Sequence, residues 1–167
     1  MNIVLCGMMG CGKTTVGALL AKTLGWKWID TDELIISRHG NIANIFKEKG
    51  EDYFRDLERQ IVAEIAQKDR LVLSTGGGLV CSNESVALLK NNGKIVYLRA
   101  KKETLISRLC AGEGRPLLQG GEGLDNKLTQ LLVARACVYE GVADSVVDVE
   151  GKAPEEIVQE ILAKIEQ

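Results

Sequence analysis

The residues Gly7-Met8-Met9-Gly10-Cys11-Gly12-Lys13-Thr14 spell G-x-x-x-x-G-K-T, and each constrained position has a mechanical reason. Gly7 and Gly12 let the backbone turn tightly, so that successive N–H groups point inward at phosphate oxygens. A helix opening at Lys13 adds unpaired N–H donors and the positive end of its dipole to the same anion. The Lys13 ammonium in such a loop reaches the β- and γ-phosphates, and the Thr14 hydroxyl suits a Mg²⁺ ligand. Gly10, Cys11, Gly12 and Thr15 complete the expected nucleotide-binding set. The plain alternative is a glycine-rich turn followed by a stray lysine. The context argues against it, because an apolar run precedes the loop and helical periodicity follows it.

A second group stands at Trp28-Ile29-Asp30-Thr31-Asp32. Ligands of open α/β sheets bind beyond the carboxyl ends of the strands. Asp30 and Asp32 alternate with Thr31, so an extended backbone would aim both carboxylates to one side. One is expected to hold Mg²⁺ through water and the other to contact an acceptor hydroxyl. The competing reading is that one of them caps the next helix.

Gly76-Gly77-Gly78 follows the apolar run Leu71–Ser74. Three consecutive glycines cost conformational entropy, which a plain turn does not require. Bare backbone there lets a ligand approach closely and offers N–H donors. No acidic residue ends this strand, which leaves Asp30 as the metal-associated acid. Arg55 and Glu58 stand three apart on a helical pattern and are neighbours. Alone they read as a surface ion pair, and Arg135 alone reads as a basic residue suited to a helix end.

These residues need positions, and the pattern of the chain supplies them. Asn2–Cys6, Trp26–Asp30, Leu71–Ser74, Lys94–Leu98 and Ser145–Val149 read as five strands. Between and after them, helices are expected over Lys13–Leu24, Thr31 to Arg38, Ile42–Lys49, Asp52–Gln67, Ser85–Asn92, Lys102–Cys110, Lys127–Tyr139 and Glu155–Glu166. Gly25 and Gly40 end two of these, Gly50 separates two more, and Pro154 suits the first turn of the last. Strands alternating with helices imply a mainly parallel sheet covered on both faces. Residues 112–123 break the pattern with five glycines around Arg115-Pro116. A plain surface loop competes there with a lid that carries Arg115 over a nucleotide, and the phosphate loop favours the lid.

The chain has 167 residues, the size of one α/β domain. A formal charge of −2 gives no reason to expect nucleic acid or an anionic membrane as a partner. No apolar stretch approaches ~18 residues, and no targeting leader is expected. Five scattered cysteines without a C-x-x-C pair favour free thiols in a reducing cytoplasm. His39 is the only histidine and is expected at the surface. Trp26 and Trp28 are expected to pack rather than bind a cofactor.

The set taken together resembles the shikimate kinases over nearly the whole chain. Gly7–Thr14, Asp30-Thr31-Asp32, Phe54-Arg55 with Glu58, Gly76-Gly77-Gly78, Arg115-Pro116-Leu117-Leu118 and Arg135 recur in that family's order and approximate spacing. The resemblance implies a nucleoside-monophosphate-kinase-like P-loop fold of three layers, with a five-stranded parallel sheet in the order 2-3-1-4-5. It implies one kinase domain over 1–167, substrate-binding helices about 31–67 and a lid about 112–123. It implies ATP-dependent phosphorylation of the 3-hydroxyl of shikimate, with Mg²⁺ held by Thr14 and Asp30. Lys13, Asp32 and Arg115 would be catalytic, with Asp32 accepting the hydroxyl proton. Arg55 and Arg135 would grip the carboxylate, Glu58 would orient Arg55, and Gly76 to Gly78 would line the same site. Arg108 and Pro154 would flank the adenine. Two positions depart from the family pattern. Arg135-Ala136-Cys137-Val138-Tyr139 lacks the usual helix-ending proline, and Cys11 replaces a smaller residue. At a helix start beside Lys13 the Cys11 thiol is either acidified and reactive or an inert filler.

The rivals are a gluconate-type small-molecule kinase and a non-catalytic nucleotide-binding switch. Asn126-Lys127-Leu128-Thr129 lacks the aspartate of a guanine-reading motif, and the only Asp-x-x-Gly, at Asp148, follows the last strand. A monomer in the cytoplasm is the default expectation.

Overall fold

The computed structural model describes residues 1–111 and 121–165. Its sheet contains five parallel strands: β1 (Asn2–Cys6), β2 (Lys27–Asp30), β3 (Leu71–Ser74), β4 (Gly93–Arg99) and β5 (Ser145–Asp148). Their order is β2-β3-β1-β4-β5. Every residue of β1 and β3 is buried, whereas the edge strands β2 and β5 are partly exposed. Side chains alternate across a strand, so complete burial of β1 means that helices cover both faces.

The helices are α1 (Lys13–Leu24), α2 (Thr31–His39), α3 (Ile42–Ile65), α4 (Asn83–Asn91), α5 (Lys102–Ala111), α6 (Gly121–Val142) and α7 (Pro154–Ile165). A short 3-10 turn, Leu79–Cys81, was not expected from the pattern. The two helices expected on either side of Gly50 run together as α3, broken at Gly50 by φ 84° and ψ 170°. That left-handed φ explains why glycine stands at the break. Beyond it, Phe54, Leu57, Glu58, Ile61, Val62 and Ile65 form a buried stripe at helical spacing. Glu58 is the one charged residue on it.

Residues 112–120 of the expected lid, Arg115 included, lie outside the described residues. Gly121 already begins α6, six residues ahead of the expected start at Lys127. At its other end α6 runs past Tyr139 to Val142, since no proline stops it. Arg135 therefore sits two turns inside the helix rather than near its end.

Strand register brings the chemistry to one edge of the sheet. Leu5 pairs with Ser74, and Ser74 pairs with Asp30. The phosphate loop, the Asp30 corner and the three-glycine turn thus leave their strands side by side.

Candidate active site

The loop after β1 closes on itself. Gly7 has φ 144°, and a Cβ there would lie 2.7 Å from the Leu98 carbonyl oxygen on β4. Gly12 takes a left-handed conformation just before α1. The Lys13 ammonium donates to the carbonyls of Gly7 at 2.8 Å and Met8 at 3.0 Å, so it lies folded back across its own loop. Cys11 is fully buried, which favours the filler reading over a reactive thiol. Burial and the neighbouring Cys11 push the Cys6 thiol up to about 12.

Ser74 anchors this loop from β3. Its hydroxyl donates to the Lys13 carbonyl at 2.8 Å and accepts from Trp28 Nε1 at 3.0 Å. Trp28 therefore braces the first turn of α1 from within the protein. His39 is exposed at the end of α2, as expected.

The Asp30–Asp32 corner differs from the sequence expectation. The helix begins at Thr31 as its periodicity predicts, so the two carboxylates are not alternate residues of an extended strand. Asp30 Oδ1 caps α2, accepting from the backbone N–H of Asp32 at 3.0 Å and of Glu33 at 3.3 Å. Its other oxygen accepts from Thr14 Oγ1 at 3.1 Å. The cap and the contact to the phosphate-loop threonine are thus made by one carboxylate. A hydroxyl and a carboxylate oxygen are hard donors of the type Mg²⁺ takes, with phosphate oxygens and water filling the remaining positions.

One cavity of about 770 Å³ connects these parts. It is lined by the loop and first turn of α1, by Asp30 and Asp32, by Thr75 to Gly77, and by Arg108, Lys152 and Pro154. Arg108 reaches in from α5, and its guanidinium donates to the Cys11 carbonyl at 3.1 Å. A second cavity of about 450 Å³ lies behind the glycine turn, lined by Glu51, Arg55, Glu58, Arg59, Gly78 and Arg135 among others. The two cavities meet at Gly76–Gly78, with Asp32 lining the first and Arg55 and Arg135 lining the second.

The turn between the cavities is held on several sides. Gly76 N–H donates to Thr31 Oγ1 at 3.0 Å, Thr75 Oγ1 donates to the Leu5 carbonyl at 3.1 Å, and Tyr139 Oη donates to the Gly77 carbonyl at 2.6 Å. The Gly76 N–H is thus engaged within the protein, contrary to the expectation that it is offered to a ligand. The surface left bare by the glycines is covered by the ends of Asp32, Arg135 and Arg55.

Arg55 is held by two carboxylates, Glu58 at 2.6 Å and Glu51 at 3.1 Å. Glu58 is only 3% exposed, so the pair is not the surface ion pair that its spacing alone suggests. Burial pushes the Glu58 carboxyl above its ordinary value, while the Arg55 guanidinium pulls against that shift. Tyr139 is fully buried, and burial raises its phenol as well. Ser74, Thr31, Tyr139 and Lys152 were not singled out from sequence. A charge on the apolar stripe of α3 was the available signal for a buried Glu58. Tyr139 and Lys152 had no comparable signal.

A phosphate-binding backbone and a cationic cavity that meet at one glycine turn define a small-molecule kinase of the P-loop class. The family model described as "Shikimate kinase" matches residues 9–166. The chain belongs to the shikimate kinase family. It is 42% identical to the shikimate kinase of Moorella thermoacetica over 161 residues, 96% of this chain and 91% of that one. A solved shikimate kinase from Acinetobacter baumannii in complex with shikimate superposes with a TM-score of 0.89 at 38% identity, covering 98% of this chain and 92% of that one. A gluconokinase from Sinorhizobium meliloti superposes with a TM-score of 0.68 at 22% identity over 99% of this chain and 91% of that one, which shows a shared fold. No helix among the described residues is long and apolar enough to cross a membrane.

Proposed function

We infer that this protein transfers the γ-phosphoryl group of ATP to the 3-hydroxyl of shikimate. The observation that carries the reading is the glycine turn shared by the two cavities, with the ends of Asp32, Arg135 and Arg55 gathered against it. A small acid lying along that turn, from one cavity into the other, would present a hydroxyl to Asp32 and a carboxylate to the guanidinium groups. Family membership independently favours the same substrate.

Phosphoryl transfer asks little covalent chemistry of a protein and much alignment and charge stabilisation. On this reading Lys13 leaves its loop carbonyls to meet the β- and γ-phosphates, alongside the N–H groups of the loop and of α1. Thr14 and Asp30 would hold the Mg²⁺ that accompanies ATP, which supplies charge neutralisation across those phosphates. Asp32 orients the acceptor hydroxyl and takes its proton. Arg55 and Arg135 fix the far end of the acid, where guanidinium geometry suits a carboxylate. Gly10, Cys11, Gly12, Thr15, Arg108 and Pro154 enclose the nucleotide. Arg115 is assigned a phosphate-reaching role, and 112–123 a lid, on the sequence alone. The same reading takes the chain as one kinase domain and a cytoplasmic monomer.

A coupled ADP-release assay tests it with shikimate, gluconate or no acceptor. Release that depends on shikimate is expected. Equal release with gluconate would move the substrate assignment, and equal release with no acceptor would remove the kinase reading.

A further inference from the structure

We propose that Gly76-Gly77-Gly78 is a steric template in which each glycine leaves the space for the end group of one substrate-facing side chain. A Cβ at position 76 would lie 2.5 Å from Asp32 Oδ1 and 3.2 Å from Asp32 Cγ. A Cβ at position 78 would lie 2.5 and 2.6 Å from the two Nη atoms of Arg55 and 2.8 Å from its Cζ. At position 77 the nearest atom is Arg135 Nη1 at 3.1 Å, followed by Tyr139 Oη at 3.5 Å. Three successive residues thus carry three different functional groups, in the order Asp32, Arg135, Arg55. The inference rests on the roles given to those groups under the proposed function.

Backbone conformation does not explain these glycines. None of the three is among the positive-φ residues, so each could be replaced without strain in its own dihedrals. What remains is space, and the atoms occupying it are mostly the ends of side chains. Gly17 provides a contrast. A Cβ there would lie 2.4 Å from Ser74 Oγ and 2.8 Å from Trp28 Nε1, groups that bond each other between α1 and the sheet. An intrusion at Gly17 meets packed interior, whereas one at Gly76 or Gly78 meets the far end of a carboxylate or guanidinium side chain.

The turn is fastened along its length: Thr31, Tyr139 and the Leu5 carbonyl hold Thr75 to Gly77, and the Gly78 carbonyl accepts from the Cys81 N–H at 3.1 Å. The side chains must therefore yield, by about 1 Å to regain ordinary contact. Such a shift costs the fold little. It costs function much more, since a misplacement of about 1 Å lowers rates by up to about a hundredfold. Stability and activity should separate at this turn in a way that they do not at an ordinary packed glycine.

The test is a kinetic and thermal comparison of Gly76→Ala, Gly77→Ala and Gly78→Ala, with Gly17→Ala as the packed control. Misplacement on this scale predicts that Gly78→Ala raises KM for shikimate by about tenfold or more, with KM for ATP within about twofold. By the same principle Gly76→Ala lowers kcat by about tenfold or more through Asp32, and Gly77→Ala has the smallest effect of the three. Melting temperatures of these three should stay near wild type, while that of Gly17→Ala falls. Gly78→Ala added to Arg55→Ala should bring no further loss, because both act through one guanidinium. Multiplying losses in that double variant, a wild-type KM in Gly78→Ala, or failure of the turn variants to fold would each overturn the template. If the wild type did not phosphorylate shikimate, the functional reading would fall separately. The template would then be decided by the ¹⁵N resonance of Arg55 Nε, identified by its loss in Arg55→Ala. It should move in Gly78→Ala and hold still in Gly76→Ala, and an unmoved resonance in Gly78→Ala overturns the proposal.

Discussion

The two cavities that meet at the glycine turn, a phosphate side and an acid side, are built in opposite ways. The phosphate side comes mainly from one continuous stretch, the loop and first turn between Gly7 and Thr15, and its chemistry is largely backbone N–H groups and a helix end. The acid side is assembled from α3, the turn after β3 and α6, with its chemistry in long side chains held by other side chains. A continuous backbone site is fixed once its strand and helix are fixed. A dispersed side-chain site depends on every element that brings a member to it, and on partners such as Glu58 that touch no substrate. Substitutions should therefore act abruptly on the first side and gradably on the second.

The largest expected effect tests the abrupt side. Lys13→Ala removes the one mobile charge of the phosphate loop while leaving its backbone in place. Loss of a preorganised charge at a developing oxyanion costs about 10²–10³ in kcat. The fold should persist, since Lys13 contributes two bonds to part-buried loop carbonyls and no apolar packing to the core. A fall of less than about tenfold at saturating ATP, or about 1.4 kcal/mol, would show that the backbone cradle works without this side chain.

Arg55→Ala tests the gradable side and should do less. Arg135 remains to hold the carboxylate, so the loss in kcat/KM for shikimate is expected near the value for one charged hydrogen bond, about 1.5–3 kcal/mol. Affinity for ATP should hardly change, because Arg55 lines the second cavity and not the phosphate cavity. An acceptor lacking the carboxylate should be poor with the wild type and lose little further with the variant. Equal losses with both acceptors would make Arg55 a structural partner of Glu58 and Glu51 and nothing more.

The same contrast governs what could be read before the structure. The phosphate loop was legible because spacing, strand and helix all lie within fifteen residues of one another, and local backbone chemistry determines its shape. All five strands and the parallel sheet were legible from short buried runs alternating with helical periods. The order 2-3-1-4-5 was not legible from those periods and came from family resemblance. The Asp30–Asp32 corner was misread in its geometry. An alternation argument assumes extended backbone through Asp32, whereas the helix begins at Thr31, where its own periodicity places it. The glycine turn announced a need for space without saying whose. That information lies in α2, α3 and α6, far away along the chain. Tyr139, which fastens the turn through the Gly77 carbonyl, looked like any aromatic residue on a helix.

The smallest expected effect tests whether Glu58 serves stability or position. Its carboxylate lies on the buried stripe of α3, bonded to Arg55 through one oxygen, while the other has no hydrogen-bond partner among the described residues. Asp32 adds to the upward push of burial, and Arg55 and Arg135 oppose it. A carboxyl whose folded pKa is raised binds its proton more readily in the folded state. The ionised form is then the less stable one, and the wild type gains stability as pH falls from above the raised value toward the ordinary carboxylate value. Glu58→Gln removes that titration. At neutral pH the variant should melt at or slightly above the wild-type temperature, on a scale where about 1 kcal/mol moves a chain of this size by about 2–4 °C. On acidification through that window the wild type should gain on the variant. KM for shikimate should nevertheless rise a few-fold at neutral pH, because a neutral amide holds Arg55 about half as strongly as a carboxylate does. A variant that melts well below wild type at neutral pH, with the gap closing as pH falls, would mean that the Arg55 pair outweighs burial. Glu58 would then be a stabilising residue of α3, and the acid side would be less dependent on positioning partners than the two-sided comparison holds.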